Sequence, residues 1–123
     1  MLRCKLLSPL FLLLIMMGCG KSLPELNGVN LAAWKEDRLA CNGQRTAMME
    51  AMILEKDKLK ALSELDLVKL LGRPDENQLL DRNQKIYTYY LEPGPDCDAP
   101  QPDARKLVLR INAMGRAKET LIK

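Results

Sequence analysis

The amino-acid sequence predicts an α+β domain, with two helices followed by a three- to four-stranded antiparallel sheet and the helices on one sheet face. Three observations predict it. Apolar residues recur at helical spacing between positions 44 and 71. From position 76 onward the period changes to alternation. Breaks rich in Gly, Pro and Asn separate the segments. Helices first and strands afterwards form a helix layer packed on an antiparallel sheet.

The elements follow in order. Leu31, Trp34, Arg38 and Leu39 fit one helical face, so residues 31–41 admit a short helix that buries Trp34, the only Trp. Asn42-Gly43 breaks it. Residues 44–60 read as a helix whose apolar stripe is Ala47, Met48, Ala51, Met52, Leu54 and Leu59. Methionines at that spacing are core material before they are a partner surface. Ser63 with Asp66 three residues on reads as a helix N-cap, and Glu64 and Asp66 in the first turn suit the helix dipole. That second helix buries Leu67, Val68, Leu70 and Leu71. It stops at Gly72, a left-handed cap, before Pro74.

Residues 76–80 read as a short strand and Asp81-Arg82-Asn83-Gln84 as a turn. The strand 85–91 sets Ile86, Thr88 and Tyr90 on one face and Tyr87, Tyr89 and Leu91 on the other. Bulk on both faces predicts a central position. Residues 92–103 hold four of the seven prolines, with Gly94 and Cys97, and form a loop. Residues 106–111 are a strand with Leu107, Leu109 and Ile111 on one face. A hairpin turn at 112–115 leads to a last strand at 116–122.

The chain opens differently. Arg3 and Lys5 are the only charges before Cys19, and an uncharged, apolar stretch runs from Leu6 to Gly18. A basic start followed by a short apolar run is a secretory signal. The run is shorter than the roughly 20 residues a membrane-spanning helix needs, and Ser8-Pro9 interrupts it. Met16-Met17-Gly18-Cys19 resembles a bacterial lipobox, with a small residue before the Cys that receives diacylglycerol. The sequence is therefore read as a signal peptide at 1–18 cleaved between Gly18 and Cys19, lipidation at Cys19, a tether at 19–30 and one domain at 31–123. Gly20, where Asp would mark inner-membrane retention, points to the outer membrane, facing the periplasm.

Composition narrows the function. The chain has 19 Lys and Arg; without Arg3 and Lys5, 17 remain against 16 Asp and Glu. Acids and bases interleave and aromatics are few, which disfavours a nucleic-acid partner. There is no His, so no Ser-His or Cys-His nucleophile exists and the commonest metal ligand is missing. No cofactor, metal or enzymatic activity is expected. Cys4 leaves with the signal and Cys19 takes the lipid. Cys41 and Cys97 remain as an even pair in an exported chain, which predicts a disulfide worth roughly 4 kcal/mol by loop closure. Two thiols without His make a poor zinc site.

The helix 63–71, the junction Leu70-Leu71-Gly72-Arg73-Pro74-Asp75, the strand Tyr87-Thr88-Tyr89-Tyr90 and the strand 107–112 before a turn at Gly115 together resemble the SmpA/OmlA family of BamE-like outer-membrane lipoproteins. The resemblance covers about residues 60–123, plus the lipobox. It implies an α-α-β-β-β domain and an accessory role at the outer membrane.

The expected function is a lipid-anchored, non-catalytic scaffold or accessory subunit that binds another envelope protein. Tyr87, Tyr89 and Tyr90 would be its exposed anchors, since Tyr is enriched at binding hot spots. The alternative is an inhibitor or small-ligand-binding module that uses the 92–103 loop, pre-organised by its disulfide.

Overall fold

The computed structural model describes residues 22–123. The signal peptide 1–18, the cleavage position Gly18 and the lipidation position Cys19 lie outside the described residues. Within them, helices precede a four-stranded antiparallel sheet of order β1-β2-β3-β4. The helices are α1 (Leu31–Glu36), α2 (Gln44–Ala47), α3 (Met49–Glu55) and α4 (Glu64–Leu71). The strands are β1 (Glu76–Leu79), β2 (Lys85–Tyr90), β3 (Lys106–Ile111) and β4 (Ala117–Ile122). This is the α+β arrangement expected, and β2 lies inside the sheet.

Strand alternation sets the layers. Tyr87, Tyr89, Leu91, Leu107, Leu109, Ile111 and Ala117 face the helices and join Trp34, Met49, Met52, Leu59, Leu67, Leu70 and Leu71 in one core. The opposite face carries Ile86, Thr88 and Tyr90 of β2 beside Lys106, Val108 and Arg110 of β3. No helix covers it.

Several local expectations hold in detail. Ser63 caps α4, its Oγ accepting from Asp66 N–H at 3.2 Å. Gly72 ends α4 at φ 80°, ψ −177°. The positive φ was expected, but the extended ψ makes this a conformation nearly restricted to Gly rather than a left-handed helical cap. Gly115 closes the β3–β4 turn at φ 77°, while Asn112 Oδ1 accepts from Met114 and Arg116 N–H.

Three expectations are corrected. The single helix over 44–60 is broken. Met48 (φ −98°, ψ 3°) separates α2 from α3, and the chain tightens into a 3₁₀ turn at Lys56–Leu59. The break lets Arg45 turn into the interior while Met49 and Met52 still reach the core, and Met48 Sδ accepts from Asn30 N–H. The apolar stripe shifts with it, so that Leu54 is 82% exposed. Finally, the described part of the 19–30 tether is docked on the domain. Leu26 is a core residue, with Leu23 and Val29 packed against the core. Asn27 N–H donates to Glu55 Oε1 at 2.7 Å, and Lys58 Nζ donates to Glu25 O at 3.0 Å. Three apolar side chains without helical or strand period gave no pattern to detect, yet each removes apolar surface from water.

Edge strands are managed on one side. Ala61 N–H donates to Ala117 O and Ala117 N–H to Leu62 O, which pairs residues 61–62 with the start of β4. Lys56 Nζ reaches Thr120 O. On the other side β1 is short and fully exposed. Among the described residues no helix is long and apolar enough to cross a membrane.

Candidate functional site

The site begins with the 92–103 loop, which leaves β2 and returns to β3. Cys41 and Cys97 form a disulfide, as predicted, with Cα atoms 5.2 Å apart. It ties the loop to the 3₁₀ turn Arg38–Ala40, where Leu39 O also accepts from Gly94 N–H at 2.9 Å. At the loop base Glu92 Oε1 accepts from Arg105 N–H at 2.9 Å, and Leu91 N–H donates to Arg105 O at 2.8 Å. Gln101 N–H closes on Pro93 O at 3.0 Å. A proline-rich segment with few donors of its own is thus fixed at both ends and across its middle.

The turn that receives the disulfide is itself unusual. Leu39 and Ala40 both adopt positive φ, 60° and 57°. Side chains disfavour that region by roughly 1–3 kcal/mol per residue, so neighbouring contacts must hold them. Leu39 N–H donates to Asp75 Oδ1, Leu39 O takes Gly94 N–H, and Cys41 is covalently fixed.

Beneath the turn lies a buried polar knot that sequence reasoning missed. The Arg45 and Asp75 side chains are fully buried and meet at 2.7 Å. Arg45 Nε donates to Trp34 O at 2.9 Å, and its guanidinium sits 4.6 Å from the Trp34 ring centroid. Asp75 also accepts from Tyr90 N–H at 2.8 Å. Asp37, equally buried, accepts from Asn42 and Arg45 N–H. A buried Arg on a short helix leaves no periodic signature. Asp75 was visible only as part of the helix-stop junction 70–75.

The loop folds over one end of the sheet face opposite the core helices and borders a half-open cavity of about 590 Å³. Its floor is the row Tyr90, Lys106 and Lys123 across three strands, and its wall is built from Pro95, Pro100, Pro102 and Asp103. Gly94 lies flat on the Tyr90 ring, where an added Cβ would stand 3.2 Å from ring carbons. Lys106 Nζ stands 5.4 Å from the same ring centroid. Of the loop carboxylates Glu92, Asp96, Asp98 and Asp103, only Asp103 lines the cavity.

The expected triplet of exposed tyrosines is corrected. Tyr87, Tyr89 and Tyr90 are 6%, 0% and 5% exposed. Tyr87 and Tyr89 point under the helices, donating to Glu64 Oε1 at 2.7 Å and Gly72 O at 2.8 Å. Tyr90 points the other way and donates to Glu76 Oε1. Burial pushes the Tyr87 and Tyr90 hydroxyls up to about 12, helped by the carboxylates they meet. Burial raises Tyr89 further still. Of the three, only Tyr90 borders the cavity.

Among the described residues no cluster of three or more His, Cys, Asp or Glu is placed to hold a metal ion. No family model matches the chain, and no curated protein or solved structure does either.

Proposed function

We propose that this protein is a lipid-anchored, non-catalytic accessory protein of the bacterial envelope, at the outer membrane facing the periplasm, and that it binds another envelope protein at the loop cavity. Lipid at Cys19 is supported by the lipobox-like run Met16-Met17-Gly18-Cys19 behind a basic, then apolar, start. Divergent kinship with the SmpA/OmlA lipoproteins draws support from helices preceding an antiparallel meander and from the 70–75 junction.

The observation that carries the binding reading is the cavity itself. Its volume lies within the roughly 300–1,000 Å³ usual for ligand sites. Its roof is held by the disulfide, so little ordering entropy is lost on binding. A glycosidase-type reaction needs two opposed carboxyl groups, and this wall offers Asp103 alone. Exposed tyrosines no longer support a partner surface, which transfers the role to the loop.

The test is purification of the full-length protein from native membranes after in-cell crosslinking, with mass spectrometry of its partners and of its N-terminus. A reproducible envelope partner crosslinked to residues 92–103, together with a lipid-modified Cys19, is the expected result. An unmodified N-terminus upstream of Cys19 would overturn the anchor. A partner crosslinked only to β1 or to the helices would overturn the loop as the binding site.

A further inference from the structure

The chemistry of the cavity floor specifies what it receives. Lys106 and Lys123 face each other across β3 and the end of β4, each donating its N–H to the other's carbonyl, at 2.9 and 3.0 Å. Directly opposed residues of an antiparallel pair project to the same face with Cβ atoms about 5 Å apart, and like charges placed there destabilise the sheet. Among the described residues neither ammonium has a carboxylate within ion-pairing distance, in contrast to the paired Lys85 and Arg105 of the neighbouring strand and loop ends. Glu76, which pairs with Thr88 across β1 and β2, accepts from the Tyr90 hydroxyl. The floor therefore concentrates two ammonium groups beside an aromatic ring, under a roof of prolines, against the one carboxylate of Asp103 on the wall.

The roof adds a second criterion. Pro95, Pro100 and Pro102 have no N–H, and their carbonyls accept no hydrogen bond from the described residues. A ligand matching both surfaces carries carboxylates for the floor, N–H donors for the wall and an apolar group for Tyr90 and the proline rings. A peptide segment with acidic side chains has all three.

We infer that the cavity formed by Tyr90, Lys106, Lys123 and the 92–103 loop is a receptor for an acidic peptide segment, its carboxylates placed on Lys106 and Lys123 and an apolar side chain on Tyr90. The inference rests on the binding reading above and names the chemistry of the partner at that site. Charge-assisted hydrogen bonds to both ammonium groups relieve their mutual repulsion, so affinity falls as salt rises.

The test uses the full chain in detergent micelles with a fluorescent, end-capped Glu-Glu-Leu-Glu peptide, read by anisotropy. Binding that weakens ~100-fold or more in Lys106→Gln with Lys123→Gln is expected, because each lost charge-assisted hydrogen bond weakens it ~10-fold. The matching Lys-Lys-Leu-Lys peptide should not bind. A urea midpoint no lower in the double variant, and raised by the lost repulsion, separates lost binding from lost folding. Displacement of the peptide by inorganic phosphate at equal concentration would overturn the peptide assignment and leave a simple anion site. Equal peptide binding by the double variant would overturn the floor lysines as its receptor. If the crosslinked envelope partner is still captured by the double variant, the acidic-segment inference fails while the accessory-protein reading stands.

Discussion

Arg45 has its guanidinium fully buried against Asp75 and Trp34, so its charge depends on one partner. Burying such a pair is costly, and breaking it is costlier, because the survivor remains charged in a low-dielectric interior. Arg45→Met should destabilise the domain by about 3–5 kcal/mol, measured by urea unfolding. A loss below about 1 kcal/mol would mean that water reaches Asp75 once the guanidinium is gone. The tyrosines make a second prediction. A hydroxyl held at about 12 in the fold and near 10 when unfolded favours the native state fully below pH 10. That contribution disappears as pH rises through 12. Tyrosinate absorbance should therefore appear together with loss of tertiary circular dichroism between those values. Independent ionisation near pH 10 in an intact fold would show accessible hydroxyls. Glu64 acts at the other end. Lys85 first, then Tyr87, holds its carboxyl below the usual range. Its contribution is present above about pH 4.3 and is lost as pH falls through the lowered value.

At the level of elements, the disulfide and the loop behave as one unit. Cys41→Ser with Cys97→Ser should cost about 4 kcal/mol through loop closure over a separation of 56 residues. It should also release Leu39 and Ala40 from their positive φ, so hydrogen exchange should rise at Gly94 and Leu39 before it rises in β2 and β3. Uniform loosening of the sheet would instead make the crosslink a support for the whole fold. Ser63→Ala should cost about 1 kcal/mol by removing the α4 cap, measured in the same urea series. These elements also show what could be read in advance. The strands, the α4 cap, the Gly115 turn and the Cys41–Cys97 pairing announce themselves through alternation, cap chemistry and cysteine parity. The Met48 break does not, because an inward Arg45 is decided by Asp75, thirty residues away. Nor do the docked Leu23, Leu26 and Val29, whose partners lie on α3 and in the core. Of the site, the loop was legible from its prolines. The Lys106–Lys123 pair was not, since it depends on β-sheet register.

On the scale of the whole molecule, one sheet face is sheathed by helices, and on the other the 92–103 loop covers the end that carries Tyr90, Lys106 and Lys123. The anchor prediction belongs here. Cys19→Ala should accumulate an unprocessed precursor that still carries residues 1–18, seen as a mass difference in the membrane fraction. Cleavage at the usual position in that variant would remove the lipid from the account. The pairing of residues 61–62 with Ala117 has a temporal consequence. A polypeptide emerges N-terminus first, so Arg45 appears well before Asp75, Cys41 well before Cys97, and Leu62 long before Ala117. A portion that stops short of Asp75 cannot pair Arg45, and one that stops short of Ala117 cannot seal the edge at residues 61–62. The seam between residues 61–62 and β4 is therefore made only once the last strand is present.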